Sequence, residues 1–122
     1  GSGCIFVVDD EPAMRISSAA ILEDLGYTTL SAENGRQAIA IYQEKHAVID
    51  LVILDMIMPQ MNGKDCLVEL KKINPEGRVL FASGFTQGDD LLDLETIGIK
   101  GFLRKPFHRV ALSQAVHDAL LN

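Results

Sequence analysis

At 122 residues, the chain has the size of one domain with one sizeable core. A composition of 48% hydrophobic and 23% charged residues, with no low-complexity tract, is that of a globular protein and excludes a disordered chain. The formal net charge of −6 argues against a nucleic-acid surface, which needs clustered Lys and Arg, and no apolar run approaches the roughly 20 residues that span a bilayer.

No signal peptide is visible. Cys4 and Cys66 have neither metal-ligand spacing nor the density of a disulfide scaffold, so both are expected as buried or inert thiols in a reducing cytosol. The chain lacks an initiator Met. Its opening Gly1-Ser2-Gly3 reads as a cloning scar or a processed end, which makes the sequence a candidate fragment of something larger.

Cys4–Val8 is a short apolar run ended by Asp9-Asp10-Glu11-Pro12. From Pro12 to Leu25 the apolar positions Ile16, Ala19, Ala20 and Leu22 recur at helical spacing. Pro12 suits a first turn, and Gly26 stops the helix. Tyr27–Ala32 reads as a second strand. Asn34 is a cap for a helix to about Lys45, with Ala38, Ile39 and Tyr42 on one face.

Leu51-Val52-Ile53-Leu54 has no polar alternation, as in a parallel strand covered on both faces, and it ends at Asp55. A loop through Pro59 and Gly63 leads to a helix of about Lys64–Lys72, with Cys66, Leu67 and Leu70 inward. Arg78–Ala82 is a fourth strand, and a weaker helix follows at Asp89–Ile97. A short strand at Gly101–Arg104 precedes the last helix, His108–Leu121, which places Ala111, Leu112, Ala115, Val116 and Ala119 on one side. Five strands alternating with five helices predict one α/β domain, a doubly wound parallel sheet with helices on both faces.

In such sheets the site forms at the carboxyl ends of the strands. Asp9, Asp10 and Glu11 follow the first strand, Asp55 ends the third, Ser83-Gly84 the fourth and Lys105-Pro106 the fifth. Carboxylates this close repel one another without a cation, and a hard divalent ion such as magnesium takes oxygen ligands. Taken alone, Asp9, Asp10 and Glu11 could equally cap the first helix, whose dipole favours negative charge. An Asp at the end of a fully apolar strand favours the cation. Asp55 at the sheet centre needs compensation, and Lys105 supplies it. Pro106 is a candidate for a cis bond. Beside Gly84, the Ser83 hydroxyl and exposed backbone N–H groups could meet phosphate oxygens. His46, His108 and His117 are scattered helix-surface residues without partners, and none is a phosphodonor.

Val-Val-Asp-Asp-Glu at 7–11, Asp-x-x-Met-Pro-x-Met-x-Gly at 55–63, Ser-Gly at 83–84 and Lys-Pro-Phe at 105–107 together resemble the receiver domain of two-component response regulators. The resemblance runs from Cys4 to Leu121. It implies a (βα)5 three-layer sandwich with strand order 2-1-3-4-5, the flavodoxin-like arrangement. Asp55 would take a phosphoryl group from a phosphohistidine of a histidine kinase or phosphotransfer domain. Magnesium would be held by Asp10, Asp55 and the main-chain carbonyl of Ile57, with Asp9 acting through water. Lys105 would pair with phosphoryl oxygens, Ser83 would turn inward to bond one of them, and Phe102 matches an aromatic switch position. Such a domain is a cytoplasmic phosphoacceptor rather than an enzyme. An output domain or a second copy would meet it on the fourth predicted helix, fifth strand and last helix, where Leu91, Leu92 and Leu94 make an apolar face. The Ser-Gly-Phe at 83–85 and the Lys-Pro-Phe look most like receivers of hybrid kinases.

Two positions depart from the polar form of the pattern. Ile57 and Phe85 are bulky and apolar where they border the path of attacking water, which predicts slow autodephosphorylation. Ile57 also stands where an aspartyl-phosphate phosphatase needs its second Asp, which argues against that class. A receiver-like module working by binding alone should have lost an acidic residue or the lysine, and all are present. A flavodoxin-like cofactor binder would need a phosphate loop after the first strand.

Overall fold

The computed structural model describes residues 2–84 and 98–121. The helix predicted at 89–97, the leucines on it and Phe85 lie outside the described residues. Five parallel strands form one sheet in the order β2-β1-β3-β4-β5. They are β1 (Cys4–Val8), β2 (Thr28–Ala32), β3 (Leu51–Asp55), β4 (Val79–Ser83) and β5 (Gly101–Arg104). Helices α1 (Pro12–Asp24), α2 (Gly35–Lys45) and α3 (Gly63–Ile73) follow the first three strands, and a C-terminal helix (Arg109–Leu121) closes the chain. This is the flavodoxin-like doubly wound order expected from the sequence.

Alternation along the strands divides the core in two, because successive side chains point to opposite faces. Phe6, Val8, Val52, Leu54 and Phe81 face α2 and α3, where they meet Ala38, Tyr42, Cys66, Leu67 and Leu70. Ile5, Val7, Leu51, Ile53, Leu80 and Ala82 face the other layer with Leu22, Leu112 and Val116. All five residues of β3 are buried, the consequence of a central strand covered on both sides.

Element ends follow local chemistry. Asn34 caps α2 by accepting from the Gln37 N–H at 2.8 Å, and Asn62 caps α3 by accepting from the Asp65 N–H at 2.9 Å. Gly26, at φ 99°, takes the left-handed conformation that ends α1. The apolar spacing of α1 does not by itself mark its inward face. Ser18 and Leu22 are the buried residues of α1, with Ile21 and Leu25 packed beside them, while Ile16 is 69% exposed and Ala20 also faces outward. The inward stripe joins Ser18 to Leu22, so apolar positions alone do not outline it.

Sheet register positions the strand ends. Val8 pairs with Leu54, so the next residues, Asp9 and Asp55, stand side by side. Asp55 pairs with Ala82, which sets Ser83 one step beyond it, and Ser83 pairs with Arg104, immediately before Lys105. The chain reverses its winding between β1 and β3, and crevices at such switch points are where this architecture binds ligands.

Candidate functional site

Asp9 is buried at the end of β1 and is held on every side. Its N–H donates to the Ala32 carbonyl at 3.1 Å, and its Oδ1 accepts from the Glu11 N–H at 2.9 Å. The Lys105 ammonium lies 2.8 Å from Asp9 Oδ2. The Arg15 guanidinium reaches back from α1 and donates to the Asp9 main-chain carbonyl at 2.7 Å. Glu11 is the N-cap residue of α1 but makes no side-chain cap hydrogen bond. The helix-capping alternative therefore holds only for the Asp9 to Glu11 turn.

Asp55 ends β3 and is 4% exposed. Its Oδ1 is 3.4 Å from Lys105 Nζ and accepts from the Ile57 N–H at 3.3 Å. The chain leaves the strand tightly: Met56 N–H donates to Ala82 O at 2.9 Å, and Gly63 N–H returns to Met56 O at 2.8 Å. Gly63 is required by close approach, since a Cβ there would overlap the Asp55 carbonyl and lie 2.7 Å from Met56 Cα.

Burial pushes the Asp55 carboxyl up to about 7, helped by the neighbouring Asp9 charge and by a hydrogen bond with Asp10, against the opposing pull of Lys105 and the Ile57 N–H. Burial works against the charge on Lys105, but hydrogen bonds and charge from Asp9 and Asp55 outweigh it and hold its pKa above the ordinary value. Without a metal ion, then, burial favours the protonated form of the Asp55 carboxyl, and one ammonium serves two buried carboxylates.

A cavity of about 670 Å³ opens on these groups and is lined by Asp10, Glu11, Met14, Asp55, Ile57, Ser83, Gly84, Lys105 and Pro106. Ser83 is buried, and its carbonyl accepts the Lys105 N–H at 2.8 Å. The Lys105–Pro106 bond is cis. Ile57 is 66% exposed at the mouth. Phe102 is not part of the lining. It is half-buried on β5, opposite Phe81 in the register and packed on the core layer beneath α2 and α3.

Asp9, Asp10 and Asp55 each bring a carboxylate oxygen within 4.8 Å of the others. Three carboxylates with no sulfur or imidazole form a hard-oxygen donor set, which fits magnesium or calcium and not zinc. The residues present therefore fit the divalent ion expected from the sequence. Asp9 Oδ2 is engaged by Lys105, which leaves Asp10 and Asp55 as the freer pair.

Two contributors, Met14 and Arg15, were not anticipated from the sequence. Met14 follows Asp10 by four residues and lines the cavity from the first turn of α1. Arg15 is signalled only by its place one turn into a helix that starts beside two aspartates. Glu11, already placed at this rim by the sequence, brings its Oε1 to 3.9 Å from Lys105 Nζ, at the edge of ion-pair range. One expectation is corrected: His46 has a partner. Its Nδ1 lies 3.1 Å from Tyr42 O, at the C-terminus of α2 where the last carbonyls face outward, and its ring packs 5.9 Å from that of Tyr42. Cys66 is buried, and burial pushes its thiol up to about 12, which makes it inert as expected.

The family model described as the response regulator receiver domain matches residues 5–117. Among curated proteins, the sensor kinase CckA of Brucella abortus is 34% identical over 98% of this chain, which spans 13% of that kinase's length. The chemotaxis protein CheY of Bacillus subtilis is 35% identical over 95% of this chain and 96% of its own. A response regulator receiver domain protein from Clostridium thermocellum superposes with a TM-score of 0.91 at 34% identity, over 98% of this chain and 94% of that one.

Proposed function

The chain belongs to the response regulator receiver domain family, and from that premise we propose that Asp55 accepts a phosphoryl group from the phosphohistidine of a histidine kinase or phosphotransfer domain. An Asp55 carboxylate oxygen attacks phosphorus. The new P–O bond forms as the P–N bond breaks, and the departing imidazole nitrogen keeps the electron pair. Such transfer asks the protein mainly to align the nucleophile and neutralise the equatorial oxygens. The Lys105 ammonium, 3.4 Å from Asp55 Oδ1, is within reach of a phosphoryl group on that carboxylate. Magnesium, which Asp10, Asp55 and the Ile57 main-chain carbonyl would hold with Asp9 acting through water, would supply further positive charge.

The observation that carries the reading is the burial of Asp55 beside one ammonium and two carboxylates at the switch point of the sheet. Each chain accepts one group, so the domain acts as a switch and not as an enzyme that turns over substrate. The added charge of roughly −1.5 to −2, with three acceptor oxygens, is large enough to bias a two-state element. Ser83 is the group that turns to meet it, and Phe102, which has no hydroxyl, responds through packing alone. The exposed Ile57 side chain shields the acyl phosphate from water and lengthens its life. Partners beyond the phosphodonor are an output domain or a second copy on the β5 and C-terminal helix face. Cytoplasmic residence belongs to the same reading.

Incubation with acetyl phosphate and magnesium, followed by intact mass measurement, tests the proposal. Wild type should gain one phosphoryl group, and neither Asp55→Ala nor a metal-free sample should. No gain on wild type would favour a module that works by binding partners alone.

A further inference from the structure

We infer that Arg15 is a positioning residue for Asp10, acting through the peptide that joins Asp9 to Asp10. The inference rests on the reading of Asp10 as a metal-binding carboxylate. Arg15 lies one turn into α1, where its N–H donates to Glu11 O at 3.0 Å, and it is absent from the lining of the cavity. Its Nη1 donates to Asp9 O at 2.7 Å, the short end of charge-assisted hydrogen bonds. That carbonyl belongs to the planar unit whose other end is the Asp10 amide. Fixing the carbonyl therefore fixes the plane from which the Asp10 side chain departs.

The rest of Asp9 is already fixed, by Ala32 through its N–H and by Glu11 and Lys105 through its carboxylate. With those ends held, the remaining freedom at the turn from β1 to α1 is rotation of the Asp9–Asp10 peptide. Arg15 removes it. A guanidinium does this without entering the cavity, so it restrains Asp10 without competing for its oxygens. Groups that orient metal ligands from behind in this way are commonly worth tenfold or more in affinity.

The test is magnesium binding by titration calorimetry on the full chain, with phosphoryl transfer not required. Arg15→Met keeps the aliphatic stem and should weaken magnesium by roughly tenfold, with the circular dichroism of the metal-free protein unchanged. The Asp10 amide cross-peak should move in the same variant. Lys72→Met makes the same charge change at a remote exposed site and should stay within about twofold, which separates positioning from loss of charge. Should Arg15→Met not fold, Arg15→Lys keeps the charge but loses the planar fork and should weaken binding by about threefold. Wild-type affinity retained within twofold in both variants, while Asp10→Asn abolishes binding, would overturn the inference and leave the site reading intact. Failure of wild type to bind magnesium at all would remove both.

Discussion

The Lys105 ammonium is 2.8 Å from Asp9 Oδ2 and 3.4 Å from Asp55 Oδ1, so the tighter of these two ion pairs belongs to Asp9 and not to the proposed phosphoacceptor. Both carboxylates are almost fully buried, and removing the cation would leave them uncompensated. Breaking a buried pair in this way costs about 3 kcal/mol. Lys105→Met should lose stability of that order in metal-free buffer at pH 8 and clearly less at pH 5, where the carboxyls can take up protons. Urea unfolding at the two pH values is the check. An equal loss at both would mean the pair carries no such role.

The raised Asp55 pKa makes a second prediction, with a definite sign. Its folded value, about 7, lies above the ordinary carboxylate value near 4, so the protonated form favours the folded state. That contribution is fully present below about pH 4 and is lost as pH rises through about 7. Metal-free protein should therefore lose stability between pH 5 and 8, by an amount on the order of a few kcal/mol, and Asp55→Asn should flatten the slope. Magnesium must displace the proton, so its affinity should rise over the same interval.

Gly63→Ala should destabilise by about 2 kcal/mol, because the added methyl would overlap the Asp55 carbonyl and lie 2.8 Å from Phe81 Cε1. Because the strain falls on the backbone of Asp55 and Met56, the phosphorylation rate should fall along with the melting temperature. A drop in melting temperature with an unchanged rate would show that the loop yields elsewhere.

Ile57→Asn should shorten the life of the phosphorylated state, since a polar side chain at this exposed position can hold the attacking water that isoleucine excludes. Release of inorganic phosphate from phosphorylated protein in magnesium buffer gives the rate. An unchanged lifetime would remove Ile57 from the account.

Much of this was legible in the residues. The unbroken apolar run at 51–54 announced a strand covered on both faces, and all of it is buried. Asn34 before a helical pattern announced a cap, and it is one. The grouping of Asp10, Asp55, Ser83 and Lys105 around one cavity, with Asp9 beside them, followed from strand ends alone, because a parallel sheet brings those ends to one rim. The inward face of α1 was not legible, because Ser18 lies where an apolar stripe would be sought. Nor was Arg15, because its bond is to a main-chain carbonyl, which leaves no trace in the identity of a partner. Side-chain patterns reveal which groups meet, whereas backbone acceptors appear only once the turn has been built.

On the proposed reading, Asp55 and no other carboxylate takes the phosphoryl group. Borohydride reduction of the acetyl-phosphate-treated protein, followed by tandem mass spectrometry, reads this directly, because an acyl phosphate is reduced to an alcohol where a free carboxylate is not. Reduction at position 55 alone, dependent on magnesium, is the expected result. Reduction at Asp9 or Asp10, or at no position, would contradict the account.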